Sequence, residues 1–255
     1  VNNYEHTRAL LEDSLGIHSE SKLPAYHSNT LSKRMRDHQT EVHQIQSTDT
    51  TTGKVAIFGT CYGEYNEPHL GEDLVKVFEH NGIQTMVIPG SVCCGMPKLE
   101  LGDLDSVEKL KNHNIPIMQK LVDEGWDIIA PVPSCTLQFK QELPLMYPED
   151  DAIIKVQKSM FDPFEYLMLR HKSGLLKTDF AQSPGKVSYH VACHLRVQRI
   201  GLKTRDFLNL IEGTEIDVIE RCSGHDGTYT FKKEFHESAM KIARPVVNKV
   251  KKSQP

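Results

Sequence analysis

The sequence predicts an α/β protein: two pseudo-symmetric parallel-sheet repeats with covering helices, and chemistry at the carboxyl ends of the strands. Three observations carry this. From Gly53 onward, short apolar runs alternate with helical patterns. Each of the first three runs ends in cysteine, at Cys61, at Cys93-Cys94 and at Cys135. After the break at Ser183-Pro-Gly185 the same pattern starts again.

Residues 1–52 come before this pattern and lack strand signals. Tyr4 to Leu15 reads as a helix with Leu10, Leu11 and Leu15 on one stripe. Ser19 to Thr52, rich in Ser, Thr, Asn, Gln and His, reads as an extended, loosely packed and solvated lead-in. The first repeat spans 53–182. Lys54-Val-Ala-Ile-Phe58 is a strand leading to Cys61, and Leu70 to Asn81 is a helix with Leu74, Val77 and Phe78 inward and Asn81-Gly82 as its stop. Ile83 to Ile88 is the second strand, leading to Cys93-Cys94-Gly95. A helix follows from Leu104 to Glu124, with a kink expected before Pro116, and then a third strand from Asp127 to Val132. Phe139 to Leu176 reads as helical and irregular, with a helix opening at Asp162.

The second repeat spans 183–255. Cys193 lies as far beyond Lys186 as Cys61 lies beyond Lys54. A helix at Thr204 to Ile211 leads to the strand Glu215 to Glu220, and that strand leads to Cys222-Ser223-Gly224, where the first repeat has Cys93-Cys94-Gly95. A last helix is expected from Phe231 to Lys251. The third strand of this copy would come next, and the chain opens on Val1 without an initiator methionine, so a fragment is expected.

Composition narrows the chemistry. The chain has 255 residues, 38% of them hydrophobic and 25% charged, enough for a sizeable core in a soluble protein. A formal net charge of -4 gives no reason to expect nucleic acid or an anionic membrane as partner. No apolar run approaches the roughly 18 residues of a spanning helix, and the polar, charged start gives no signal peptide. A cytoplasmic location is therefore expected. Six cysteines without a secretory signal argue for metal or redox use over a disulfide framework.

Adjacent side chains on a strand point to opposite faces, so Cys93 and Cys94 can reach one centre only if the chain leaves the strand, which Gly95 permits. Cys61, Cys93, Cys94 and Cys135 are then four thiolates converging on one sheet edge, and four thiolates suit zinc or an iron–sulfur cluster. The second repeat offers Cys193 and Cys222, with Ser223 in place of a thiolate. His190, His194 and His225 lie near them in sequence, as ligands or as ordinary hydrogen-bonded histidines. The loop 224–229 is a tight strand-to-helix turn whose N–H groups could hold an anion or a sulfide. No Walker loop or G-x-G-x-x-G fingerprint follows a strand, so nucleotide binding is unsupported.

Cys61, Cys93-Cys94-Gly95 and Ser134-Cys135 together resemble the cysteine-rich CCG domain. That family occurs in the B subunit of heterodisulfide reductase, in the C subunit of anaerobic glycerol-3-phosphate dehydrogenase, and in the iron–sulfur subunits of lactate and glycolate oxidation. The resemblance covers residues 53–255. The second half, His190 to Gln198 with Cys222 to Tyr229, is most similar to the glycerol-3-phosphate dehydrogenase branch. Tyr4 to Leu23 resembles the linker after a two-cluster ferredoxin domain. The resemblance implies an iron–sulfur electron-transfer subunit of an oxidoreductase. Cys61, Cys93, Cys94 and Cys135 would be cluster ligands, and Cys193 and Cys222 the second-domain positions. It implies a flavoprotein dehydrogenase or ferredoxin-type partner and a quinone or other acceptor, with any membrane association through a partner. The family often carries Cys-x-x-Cys where this chain has Cys135-Thr-Leu-Gln138, which favours a four-thiolate, 4Fe–4S type site over a five-thiolate non-cubane one. The competing readings are a zinc-binding structural or partner-binding module and a thiol–disulfide reductase acting through Cys93-Cys94.

Overall fold

In the computed structural model of the chain, residues 4–40, 42, 44–225, 227 and 229–253 are described. The elements, in order, are α1 (Glu5–Leu15), α2 (Leu31–Arg34), β1 (Lys54–Ile57), α3 (Cys61–Tyr65), α4 (Pro68–His80), β2 (Gln84–Val87), α5 (Met96–Glu100) and α6 (Leu104–Asp123). They continue with β3 (Asp127–Ile129), α7 (Pro133–Leu137), a π-helical turn (Gln138–Glu142), α8 (Leu143–Met146), α9 (Asp151–Lys158), β4 (Met160–Phe161) and α10 (Pro163–Lys172). The last are β5 (Lys186–His190), α11 (Cys193–Arg196), α12 (Lys203–Leu208), β6 (Glu215–Ile219) and α13 (His236–Ser253), with a 3-10 turn at Tyr229–Phe231.

These elements form two compact units. The larger comprises Tyr26–Ala181 and His194–Ile211; the smaller comprises Val1–Ala25, Gln182–Cys193 and Glu212–Pro255. The larger unit holds a four-stranded parallel sheet in the order β2-β1-β3-β4. Lys54 pairs with Gln84, Val55 with Asp127 and Ile128 with Met160. Side chains alternate across it as the pleat requires. Ala56, Phe58, Ile128 and Ala130 face one core with Val107, Met118, Ile153 and Val156 from α6 and α9. Val55, Ile57 and Ile129 face the other with Val75, Phe78, Tyr166 and Leu167 from α4 and α10. Both faces are covered, which is why these strands read as unbroken apolar runs. Phe58, fully buried and edge-on to Phe139, is the kind of side chain whose truncation costs about 3–5 kcal/mol.

The expected third strand to Val132 ends at Ile129, because Pro131 has no N–H to give the ladder. A fourth strand, β4, lies inside the stretch read as helical and irregular. Ser159 O accepts from Ile128 N at 2.7 Å and so extends its register beside β3. Helix α6 runs through Pro116, and α10 is started by a capping box between Asp162 and Glu165.

The stretch before β1 is packed where a solvated lead-in was expected. Thr30 caps α2 by accepting from Lys33 N, and Leu31 is buried. Leu31 sits against Gly71 of α4, where a Cβ would collide with its side chain. Ser32 N and Oγ donate to the Glu64 carboxylate, and Arg34 and His38 pair with Glu72 and Glu79 at 2.9 and 2.8 Å. Pairs this exposed contribute little each, so the buried leucine is the main anchor.

In the smaller unit β5 and β6 pair in parallel from Lys186↔Glu215 to His190↔Ile219. Helix α13 begins at His236, later than the sequence pattern suggests, because Tyr229–Phe231 first closes a 3-10 turn and Tyr229 stacks on Phe235 at 4.7 Å. Helix α1, also read from the sequence, is tied here by Glu12–Lys233 at 3.0 Å and by Lys233 N donating to Gly16 O. Among the described residues no helix is long and apolar enough to cross a membrane.

Candidate metal centre

The sheet order makes a crevice outside the carboxyl ends of β1 and β3, where the connections diverge to opposite faces. All four cysteines of the first repeat stand at that edge. Cys61 opens α3, directly after β1. Thr60 before it has φ 57, unusual for a β-branched residue, and its Oγ1 accepts from Gly63 N at 2.9 Å. Cys93 and Cys94 follow β2. Gly95 then takes φ 96, a conformation that favours glycine, and starts α5. Cys135 lies inside α7, beyond β3.

The loop carrying Cys93 is held from the side by α6. The buried Asn114 accepts from Val92 N at 3.0 Å and donates to Cys93 O at 3.0 Å, while His113 Nε2 donates to Gly90 O at 2.8 Å. The sequence reading missed Asn114. Its signal was a polar residue on the apolar stripe of Val107, Met118 and Leu121. On the far side, Ser134 Oγ and His194 Nδ1 are hydrogen-bonded at 2.7 Å, and Gln198 donates to Pro133 O at 3.2 Å.

The thiols themselves are linked in series, Cys61 to Cys93, Cys93 to Cys94 and Cys94 to Cys135. Hydrogen bonds from Cys61 and Cys94 hold the Cys93 thiol far below the usual range, with help from the Gly95 N–H and Lys98. Cys61 is pushed up first by its hydrogen bond to Cys93 and then by partial desolvation, although the residue reaches the surface, and Cys94 by its hydrogen bonds to Cys135 and Cys93 and by burial. Cys94 and Cys135 are buried, Cys93 is half-buried and Cys61 exposed, so the set runs from the core to the surface.

Four soft donors and no carboxylate among them fit a thiophilic metal or an iron–sulfur cluster. A single tetrahedral zinc with Zn–S near 2.3 Å needs sulfurs about 3.8 Å apart on every edge. Among the described residues only His18, Glu20 and His236 gather three ligand atoms within 4.8 Å of one another. No three of the cysteine sulfurs gather in that way. The histidine group reads as packing: the two rings stack at 3.8 Å and 8°, face to face, whereas a ligating nitrogen needs its ion in the ring plane.

In the second repeat Cys193 and Cys222 are both exposed, and Gly224 N donates to Cys222 Sγ at 3.4 Å. The nearby histidines have other partners. His190 Nε2 donates to Arg221 O at 2.8 Å, His225 Nδ1 meets Thr230 Oγ1 at 3.3 Å, and His194 is held by Ser134. Of the loop 224–229 considered for anion binding, residues 226 and 228 lie outside the described residues.

A doubly covered parallel sheet with paired cysteines at equivalent strand ends defines a class. The model of the cysteine-rich CCG domain matches residues 55–140 and 187–255, and the chain belongs to that family. Among curated proteins it is similar to the C subunit of the anaerobic glycerol-3-phosphate dehydrogenase of Escherichia coli (strain K12), 29% identical over 96% of this chain and 60% of that protein. It is similar to the B subunit of the fumarate reductase (CoM/CoB) of Methanothermobacter marburgensis, 28% identical over 81% of this chain and 40% of that protein. The lactate utilization protein A 2 of Bacillus mycoides is 27% identical over 70% of this chain and 75% of its own length. The chain thus spans 60% and 40% of the lengths of the first two relatives.

Proposed function

We propose that this chain is the iron–sulfur electron-transfer part of an oxidoreductase, with Cys61, Cys93, Cys94 and Cys135 as ligands of one 4Fe–4S type cluster. The observation that carries it is the gathering of four mutually perturbing thiols, with no carboxylate among them, at the carboxyl edge of the sheet. The relatives' names, one from a dehydrogenase and one from a reductase, support the class. When bound, the cluster would supply one-electron transfer. The chain's own residues would set the conditions for it. Cys94 and Cys135 hold two ligand positions inside the core, Asn114 fixes the Cys93 loop, and N–H groups of Tyr62, Gly95 and Met96 aim at the sulfurs of Cys61, Cys93 and Cys94. Burial and N–H···S bonds tune the potential of such a group.

The donor would be a flavoprotein dehydrogenase or a ferredoxin-type domain, and the acceptor a quinone or another one-electron carrier. The work would be done in the cytoplasm, with a partner providing any membrane contact. Cys193 and Cys222 would be the corresponding positions of the second repeat, with a thiolate replaced at Ser223.

The test is purification without oxygen, followed by iron and acid-labile sulfide assays and low-temperature electron paramagnetic resonance. Four irons and four sulfides per first-repeat site, lost on Cys94→Ser, are expected. Stoichiometric zinc with neither iron nor sulfide after reconstitution would instead favour a structural module. A disulfide-reducing activity lost on Cys94→Ser at unchanged metal content would favour thiol–disulfide chemistry.

A further inference from the structure

Gln138 is the first residue of the π-helical turn Gln138–Glu142, directly after α7, which carries Cys135. Its side chain is fully buried, yet neither Nε2 nor Oε1 has a hydrogen-bond partner among the described residues. A buried amide left unpaired on both atoms is costly, and such groups are uncommon in folded proteins. The nearby Thr136 is satisfied in the ordinary way, its hydroxyl donating to Ala130 O at 2.9 Å. The buried Asn114 is also paired, through Val92 and Cys93. Gln198, which donates to Pro133 O, leaves only its Oε1 unpaired, whereas Gln138 leaves both amide atoms so.

Its position says what it is for. Gln138 Nε2 lies 3.6 Å from where a Cβ on Gly95 would stand, and Gly95 directly follows Cys94. Cys94 in turn is hydrogen-bonded to Cys135, one helical turn before Gln138. The amide thus lies against the turn that follows Cys94 and one helical turn beyond Cys135. A π-turn at this point shifts the side chain off the regular helical path, a device common at functional sites. Leucine or methionine would fill the same space without leaving a polar group unpaired, so the amide calls for an acceptor that the protein does not itself provide.

We propose that Gln138 is a positioning and tuning residue: its Nε2–H group donates a hydrogen bond to sulfur of the group that Cys94 and Cys135 hold. The acceptor is a ligand thiolate or a bridging sulfide, and both are electron-rich. Donation to sulfur favours the reduced, more negative state and so raises the reduction potential. It also pairs the amide only once the site is loaded, so loading and local order are coupled there. This inference rests on the proposed thiolate site.

The experiment compares the wild type with Gln138→Leu, of similar size and without polar atoms, and with Gln138→Glu. In the reconstituted protein, Gln138→Leu keeps the wild-type iron and sulfide content while its midpoint potential moves negative. In the metal-free protein, Gln138→Leu melts at or above the wild-type temperature, and its gain on loading is smaller than the wild type's. Iron content lost in Gln138→Leu and kept in Gln138→Glu would make residue 138 a direct ligand and overturn the donor role. An intact cluster with an unchanged potential would overturn it as well. A second readout does not depend on iron. In protein loaded with Cd2+ as a thiophilic probe, the Gln138 side-chain amide protons shift and exchange more slowly than in the metal-free form. If the wild type takes up cadmium but no iron or sulfide, the iron–sulfur reading fails and this readout decides alone; unchanged Gln138 signals would then sink the inference.

Discussion

Gly95 and Gly224 end equivalent turns of the two repeats, and what surrounds them differs. Both take positive φ, 96 and 74. Beside Gly95 a would-be Cβ meets only ordinary contacts, with Gln138 Nε2 and Leu110 Cδ1 both at 3.6 Å, so the first turn has space for one. Beside Gly224 a Cβ would collide with the Ala239 carbonyl of α13, so the second turn is closed by backbone. The cysteines follow the same division. The first repeat has Cys94 and Cys135 buried and linked in a thiol series, while the second has Cys193 and Cys222 exposed and Ser223 in the place of a thiol. The comparison teaches that a repeated strand-turn-helix frame can be kept while the side chains and packing at its turn differ.

The sharpest way to break this comparison is to remove one thiol from each repeat. Cys94→Ser gives the first repeat the same Cys-Ser-Gly sequence as the second. It should lower metal affinity by more than about 100-fold, beyond the usual loss for a supporting residue. Cys222→Ser should leave first-site iron and sulfide unchanged. Equal losses in the two variants, by metal analysis, would show that the repeats share one site. The glycines come next. Gly224→Ala should destabilise by about 3 kcal/mol or more, from a backbone collision added to left-handed strain. Gly95→Ala carries only the conformational term, about 1–2 kcal/mol. Urea titrations followed by circular dichroism would rank them.

Acid should separate the units. In the larger one, burial raises the Asp162 carboxyl to about 6 despite the N–H groups of Phe164 and Glu165 that it accepts. A raised carboxyl favours the protonated form in the folded state. Its contribution to stability is full below about pH 4 and is lost as pH rises through 6. Lowering the pH from 7 to 4.5 should therefore add on the order of 2 kcal/mol from this group. The sign is opposite in the smaller unit, where hydrogen bonds from Ser19 and Lys233 lower Glu12 to about 2. Its contribution is present above the unfolded value of about 4.5 and is lost as pH falls toward 2. Trp126, the only tryptophan and part of the larger unit, reports that unit by fluorescence. Asp162→Asn keeps the cap and should flatten its pH curve between 4 and 7. The smallest effect is expected at Asn114. Asn114→Ala should cost about 1–2 kcal/mol, from the loss of its hydrogen bonds with Val92 N and Cys93 O. It should also loosen metal at the first site about tenfold, with no effect on a Cys222 labelling rate.

Much of this architecture could be read along the chain because its signals are local. Strands buried on both faces give continuous apolar runs, and cysteine at the end of each run marks the sheet edge. What escaped depends on distance in sequence. Two residues, Met160 and Phe161, carry no periodicity, and β4 exists because β3 offers an open edge. Asn114 acts on Cys93 across a helix-to-loop gap that no spacing rule covers. The unpaired amide of Gln138 shows only once burial is known. Leu31 was one apolar residue in a polar stretch, and its weight comes from a glycine on another helix.

That last contact gives residues 26–40 the character of a tethered ligand. Leu31 is the anchor, Gly71 floors its pocket, and Arg34 and His38 provide the charged rim against Glu72 and Glu79. A short tether holds such a segment at an effective concentration on the order of millimolar, so even weak intrinsic affinity keeps it seated. A fragment begun at the first strand would lose that advantage and expose the floor of the pocket. The missing segment, added back as a free peptide, would then have to rebind at its intrinsic affinity.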